Sequence, residues 1–418
     1  MFVLPVREAD MTANTYLSRL SRPGPLRAWL TSLATTFTIG VICMVIVLVR
    51  GLQVTGLSDR VPWGLWITLD LSAIALGAGA FTFSAAVYLF RIKPLEVLAR
   101  PAVFIGFLGY TSAMLALAMD IGRPDRFWHP LVYWNVHSVL WEITWCVILY
   151  STVLVLEVLA VVGDSRLGKR WPNLQKIGHI SHRLTPVLAV IGMGLSLLHQ
   201  SSLGATYGVL SGRAIWFKPS LPVMFIISAV AGGMSLTMFA TMLVGRLRNQ
   251  QFLPSNICAG VTRTIGFITL GYLYIKIWDW AATSYYSHTP ASADILSRLH
   301  ATTPYTTTFW GLEVLLGGLA PAMILLLPNL CKRKNLVMLA LGLIVIGVVV
   351  NRWNTTLSGL IAPPDWSPGV LGNIVAASYF PSIIEIGVAI GIVSYAWLGF
   401  TLGVRYLEIY PRPGKKPL

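Results

Sequence analysis

Residues 31–52 read TSLATTFTIGVICMVIVLVRGL, an apolar run whose single charged side chain, Arg50, stands near its end. About 20 predominantly apolar residues are enough, wound as an α-helix, to cross a hydrocarbon layer of about 30 Å. Nine more runs of this kind follow, near 65–90, 98–119, 138–162, 184–207, 221–245, 262–285, 307–328, 335–353 and 381–407. The expected fold class is therefore all-α and integral to a membrane, with about ten transmembrane helices. Composition points the same way: 55% of the 418 residues are hydrophobic, 11% are charged, and the mean hydropathy is +0.70. A soluble domain carries about 25% charged residues, so this chain lacks the polar groups to cover a globule in water. Stretches such as 75–80 (ALGAGA) and Ala231-Gly232-Gly233 suit close approach of helices.

The net charge of +15 would suggest nucleic acid in a soluble protein. Here the basic residues have another origin. The segment before the first span, the loops after spans 2, 4, 6 and 8, and the C-terminal tail hold 22 of the 31 Lys and Arg residues. That asymmetry places both termini in the cytoplasm, and makes clusters such as Lys332-Arg333-Lys334 topogenic and lipid-facing. No nucleic-acid partner is expected. Cys43, Cys146, Cys258 and Cys331 stand far apart with no CxxC pair, which argues against an iron–sulfur cluster or zinc site in the chain. The first 30 residues, with Arg7, Arg19, Arg22 and Arg27, do not read as a cleavable signal peptide.

Ionisable groups in hydrocarbon are costly and mark function. With odd-numbered spans running outward, such groups in spans 2–5 all fall toward the outer face. Asp70 lies early in span 2, Asp120 and Arg123 close span 3, Asn135, Ser138 and Glu142 open span 4, and His199 and Gln200 lie about 22 Å along span 5. The inner halves offer hydroxyls and aromatics, among them Ser84, Tyr88, Tyr110 and Tyr150. The pattern predicts one outward-facing polar pocket. A weaker echo follows in Lys276, Asp279, Glu313, Arg352 and Glu385, a polar path in the second half of the chain. Each residue also has a plainer reading: Asp120 with Arg123 as an interfacial pair, His199 as an interhelical histidine, Lys276 as a snorkelling side chain.

A b-type haem needs two histidines facing each other in the bilayer. Of seven, only His199 lies clearly inside a span; His137 is at a span mouth, His179 and His182 fall in an inner loop, and His129, His288 and His300 in outer loops. No haem, no iron–sulfur cluster and no metal site are expected in this chain. An apolar-walled pocket of acid, histidine and amide groups suits a quinone, whose two carbonyls need donors and whose reduction needs two protons.

Residues 62–67 (PWGLWI) followed by Asp70-Leu71 resemble the start of the first core helix in the NrfD/PsrC/HybB family of quinone-interacting membrane subunits, a motif that includes Trp66. Residues 120–130 (DIGRPDRFWHP), running on to Asn135, Ser138 and Glu142, do so as well. Residues 199–204 (HQSSLG) resemble the HybB branch. Residues 309–316 (FWGLEVLL), Arg352-Trp353 and 379–385 (YFPSIIE) carry the likeness into the second half, so that it spans about 31–400. The resemblance implies two four-helix bundles, spans 2–5 and 6–9, with flanking first and last spans. The corresponding divisions are 1–30 (cytoplasmic segment), 31–60 (first span), 61–210 (first bundle with the quinone site), 211–355 (second bundle) and 356–418 (last span and tail). It also implies a menaquinone substrate and a periplasmic ferredoxin-like iron–sulfur partner. Beyond that partner stands a [NiFe] hydrogenase, as in the HybB branch, or a multihaem cytochrome c, as in Qrc-type menaquinone reductase complexes. HQSSLG fits both; DIGRPDRFWHP favours the second.

The expected mechanism is menaquinone reduction within a respiratory complex. His199 bonds one carbonyl with Gln200, Ser138 and Trp66 nearby, Asp70, Glu142 and Asp120 relay protons, and Arg123 and Asn135 order the mouth. Protons drawn through the hydroxyl-lined half would make turnover electrogenic. Two other classes fit part of the pattern. A secondary transporter would explain intramembrane charge, but its site would lie at the midplane; a purely structural anchor would leave Asp70 and Glu142 without a role.

Overall fold

In lipid a backbone N–H or C=O has no water to bond, so each apolar run must satisfy its own peptide groups as a helix. The computed structural model describes residues 23–165, 168–213, 215–285, 305–361, 377–407 and 409–411. Arg7, Arg19, Arg22, Arg166, His288 and His300 lie outside the described residues, as do most of the N-terminal segment and residues 412–418.

Among the described residues, ten helices are long and apolar enough to span a membrane: α1 (Pro23–Arg50), α2 (Leu65–Leu89), α3 (Glu96–Asp120), α4 (Val139–Asp164), α5 (Pro172–Gly208), α6 (Ser220–Arg248), α7 (Ser255–Tyr285), α8 (Thr307–Leu326), α9 (Lys334–Ile361) and α10 (Ile383–Tyr406). There is no strand among those residues. The all-α membrane fold expected from hydropathy is the fold observed. The helices leave apolar side chains such as Ile42, Val49, Phe267 and Ile346 exposed on their outer faces, where lipid replaces water as solvent.

Two departures from the sequence reading have clear causes. α5 begins at Pro172, about three turns before the apolar run, and its 37 residues span about 55 Å. Its first turns carry exposed Lys176, His179, His182 and Arg183, an amphipathic extension that an apolar window does not register. His179 and His182 are therefore helical, not in a loop. Similarly, α9 continues past residue 353 to Ile361 because its last turns bury Thr356 and Leu357 against protein. Two spans are irregular: α2 is interrupted at Ala78 and ends in a π-turn over Ala85–Leu89, and α8 opens as a π-helix over Thr307–Leu319.

Helices adjacent in sequence pack as neighbours from α2 to α9, α6 closes on α9, and α1 pairs with α10, which lies against α3. The two halves meet where α2 packs on α6 and α9, and α5 on α6. One core cluster runs through this junction, from Leu71, Phe81, Tyr110 and Tyr150 to Tyr207, Phe225 and Leu357. At the α2–α6 crossing a Cβ on Gly79 would fall on the backbone of Gly233, and the reverse is also true. Backbones this close tolerate no side chain. Gly233→Val is expected to destabilise the protein by about 1–3 kcal/mol or more, read as a lowered unfolding midpoint in detergent; Gly260→Ala, where a Cβ meets open space, should not.

Candidate functional site

The polar groups of α2 to α5 gather near one end of these helices. α4 starts there, with Ser138 as N-cap accepting from the Trp141 amide at 3.4 Å. One turn in, Glu142 Oε1 accepts a 2.7 Å hydrogen bond from Ser202 Oγ of α5. Ser202 follows His199 by three residues, so the two share a face of α5. His199 is fully buried and pairs through Nδ1 with the Tyr110 hydroxyl of α3 at 2.9 Å. Its Nε2 meets no protein partner, and neither do the amide oxygen and nitrogen of the equally buried Gln200. Leaving a buried polar atom unpaired costs about 1–3 kcal/mol, so three such atoms on consecutive residues need a reason beyond packing.

Aromatic rings wall one side. Tyr110 meets Tyr150 edge-on with centroids 4.3 Å apart, and Tyr150 lies 4.4 Å from Phe81. Asp70 is buried on α2 within electrostatic reach of Tyr110 and of Asp120, whose Oδ1 is buried without a partner. Sequence reasoning assigned Tyr110 to the inner half with Tyr150. The structure places it past the middle of α3, hydrogen-bonded to His199 of α5. Glu157 carries no role in the sequence reading: it is buried in the second half of α4 with both carboxylate oxygens unpartnered. An acid inside an apolar run was signal enough to find it.

Three predicted residues stand apart from this cluster. Trp66 is buried in the seam of α1, α2, α3 and α10, its indole N–H donating to the Glu385 carbonyl at 3.2 Å. Arg123 does not pair with Asp120. It binds Asp125 in a two-pronged contact at 2.9 and 3.0 Å, with both side chains more than half exposed, and these bonds hold the Asp125 carboxyl below its usual range. Asn135 is exposed in the loop before α4.

The second-half residues divide in two. Glu385 leaves the predicted path: it accepts from the Gly56 amide (2.6 Å), the Tyr379 hydroxyl (2.5 Å) and the Ser382 amide (2.8 Å). This capping box ties the start of α10 to the loop before α2. The other four form a network among α6 to α9. Lys276 binds Glu313 at 2.5 Å, and Glu313 also accepts from Asn351, Asn354 and Tyr272. Arg352 donates to Asn351, Ser228 and the Phe225 carbonyl and stacks 3.7 Å from the Phe225 ring. Asp279 is held by Lys218 at 2.7 Å and by Ser220. Lys276 is thus an interhelical ion-pair partner and does not snorkel. The networks approach each other where Tyr207 of α5 meets Thr356 of α9 at 3.3 Å.

Residues 53–364 match the family model described as polysulphide reductase, NrfD. The chain belongs to the NrfD family. Over 399 residues it is 34% identical to the menaquinone reductase integral membrane subunit of Nitratidesulfovibrio vulgaris, with 92% of each chain covered. It is 29% identical to the probable Ni/Fe-hydrogenase 2 b-type cytochrome subunit of Escherichia coli, covering 89% of this chain and 90% of that one. To the Hdr-like menaquinol oxidoreductase integral membrane subunit of Archaeoglobus fulgidus it is 26% identical, covering 87% and 89%. These NrfD-family relatives are subunits of oxidoreductases, and the resemblance read from the motifs is the correct one. The Escherichia coli name raises the question of a b-type haem. Among the described histidines of this NrfD-family chain only His199 is buried, while His129, His137, His179 and His182 are exposed or half-buried. They do not fit a pair of axial ligands.

Separating the Lys276–Glu313 pair should leave one buried charge uncompensated, at a cost of about 3–5 kcal/mol for Lys276→Met. Adding Glu313→Gln should then cost less than the sum of the single changes by about 0.5–3 kcal/mol. Unfolding midpoints of the four proteins in detergent test this, and additive losses would contradict a direct pair.

Proposed function

We propose that the chain is the quinone-binding membrane subunit of a respiratory oxidoreductase complex. It passes electrons between a partner subunit outside the membrane and the menaquinone pool. The observation that carries this reading is the buried Tyr110–His199 pair beside the unpartnered Gln200 amide, within an apolar bundle. A quinone head group has two carbonyl oxygens that accept hydrogen bonds and takes two electrons and two protons to become a quinol. His199 Nε2 and the Gln200 amide supply donors for one carbonyl. Tyr110 fixes the imidazole and can return a proton to it, while Glu142, Asp70 and Asp120 carry protons to the site. Electrons come from carriers in the partners, a ferredoxin-like iron–sulfur subunit backed by a multihaem cytochrome c or a [NiFe] hydrogenase.

Two relatives are named for menaquinone or menaquinol chemistry, which supports the substrate, and the greater identity to the reductase supports the direction. The distribution of Lys and Arg supports an inner-membrane setting with cytoplasmic termini and a site toward the periplasm. Asn135 and Arg123, exposed beyond the start of α4 and the end of α3, belong on this reading to the approach to the site.

His199→Leu is expected to lower quinone turnover of the purified complex at least about 10²-fold, the scale of a lost proton donor, with the complex still assembled. Tyr110→Phe removes only the hydroxyl and should give a smaller loss. Wild-type turnover in the assembled His199→Leu complex would refute the assignment.

A further inference from the structure

A small cavity of about 70 Å³ with an open mouth lies among α6 to α9 at one end of the bundle, lined by the first turns of α6 and α8 and the last turns of α7 and α9. Its walls include the aromatic rings of Trp216, Trp280, Tyr305 and Phe309, with Lys218, Lys276 and Asp279 exposed to its interior. Every carboxylate oxygen here already has a donor: Asp279 accepts from Lys218 and Ser220, and Glu313, behind the wall, accepts from four side chains. The ammonium groups are not fully used. Each carries three donors; Lys276 gives one to Glu313 and lies 5.0 Å from the Phe309 ring, and Lys218 gives its hydrogen bonds to Asp279 and, at 3.4 Å, Thr283.

Charge balance points the same way. The network holds three cations, Lys218, Lys276 and Arg352, against two anions, Asp279 and Glu313. Arg352 is buried and makes its contacts to neutral groups. A buried charge without its opposite is costly, and the cavity borders this surplus with two of its three cations. We propose that it binds an anionic oxygen-bearing head group, a phosphate in the first instance, supplied by an anionic phospholipid of the leaflet at that end. Tryptophan and tyrosine at the wall suit the boundary where glycerol and acyl chain begin. The proposal is independent of the quinone site, since no residue assigned to quinone lines this cavity.

The test uses the full chain in detergent with three additions: dioleoylphosphatidylglycerol, dioleoylphosphatidylcholine or inorganic phosphate. Phosphatidylglycerol should raise the unfolding midpoint and remain bound in native mass spectrometry, where phosphatidylcholine does neither. Lys218→Gln, at the half-buried rim, should weaken the apparent phosphatidylglycerol affinity roughly tenfold or more, the scale of a lost charge-assisted hydrogen bond. Asp279→Asn, which removes the competing negative charge, should strengthen it. An equal response to phosphate alone keeps the anion site and overturns its lipid source. Equal stabilisation by both phospholipids, or a phosphatidylglycerol response unchanged in both variants, overturns the site itself.

Discussion

Lipid offers no hydrogen bonds, and nearly every feature of this protein follows from that. Each span must be helical, and each polar side chain carried into the membrane must find a partner inside the protein or a ligand that serves as one. Where partners are complete the residues hold the structure together. Glu385 is the clearest case, with three hydrogen bonds from Gly56, Tyr379 and Ser382. It joins the last helix to the entrance of α2, and Trp66 donates to the backbone of the same residue. Where partners are incomplete, at His199 and Gln200, buried polar atoms stand open to a ligand.

The two halves therefore use buried charge differently. In α2 to α5 the groups are few, mostly single, and close to aromatic rings. In α6 to α9 they are paired and cross-linked, with Glu313 at the hub of four side chains. A weak sequence echo between the halves suggested one polar path repeated. The tertiary structure instead separates a sparse network from a cross-linked one, touching at Tyr207 and Thr356.

Membership in the NrfD family fits a chain whose relatives serve different redox enzymes, a menaquinone reductase, a hydrogenase and an Hdr-like menaquinol oxidoreductase among them. What this chain supplies is a bundle in which ten helices among the described residues are long and apolar enough to span a membrane, with polar groups near one end.

The sequence by itself determined the membrane, the ten spans and the residues that carry charge into lipid, because hydrophobic length and the cost of buried charge are local properties of the chain. It also carried the family, through motifs that stay contiguous. It did not determine which charges meet. Arg123 turned to Asp125 rather than Asp120, Glu385 left the second half for the start of α2, and Tyr110 proved to be the partner of His199. Those choices depend on helix register and rotation between segments up to 329 residues apart in the chain. In an apolar span every face looks alike to a hydropathy window, so packing alone decides which side chains face each other.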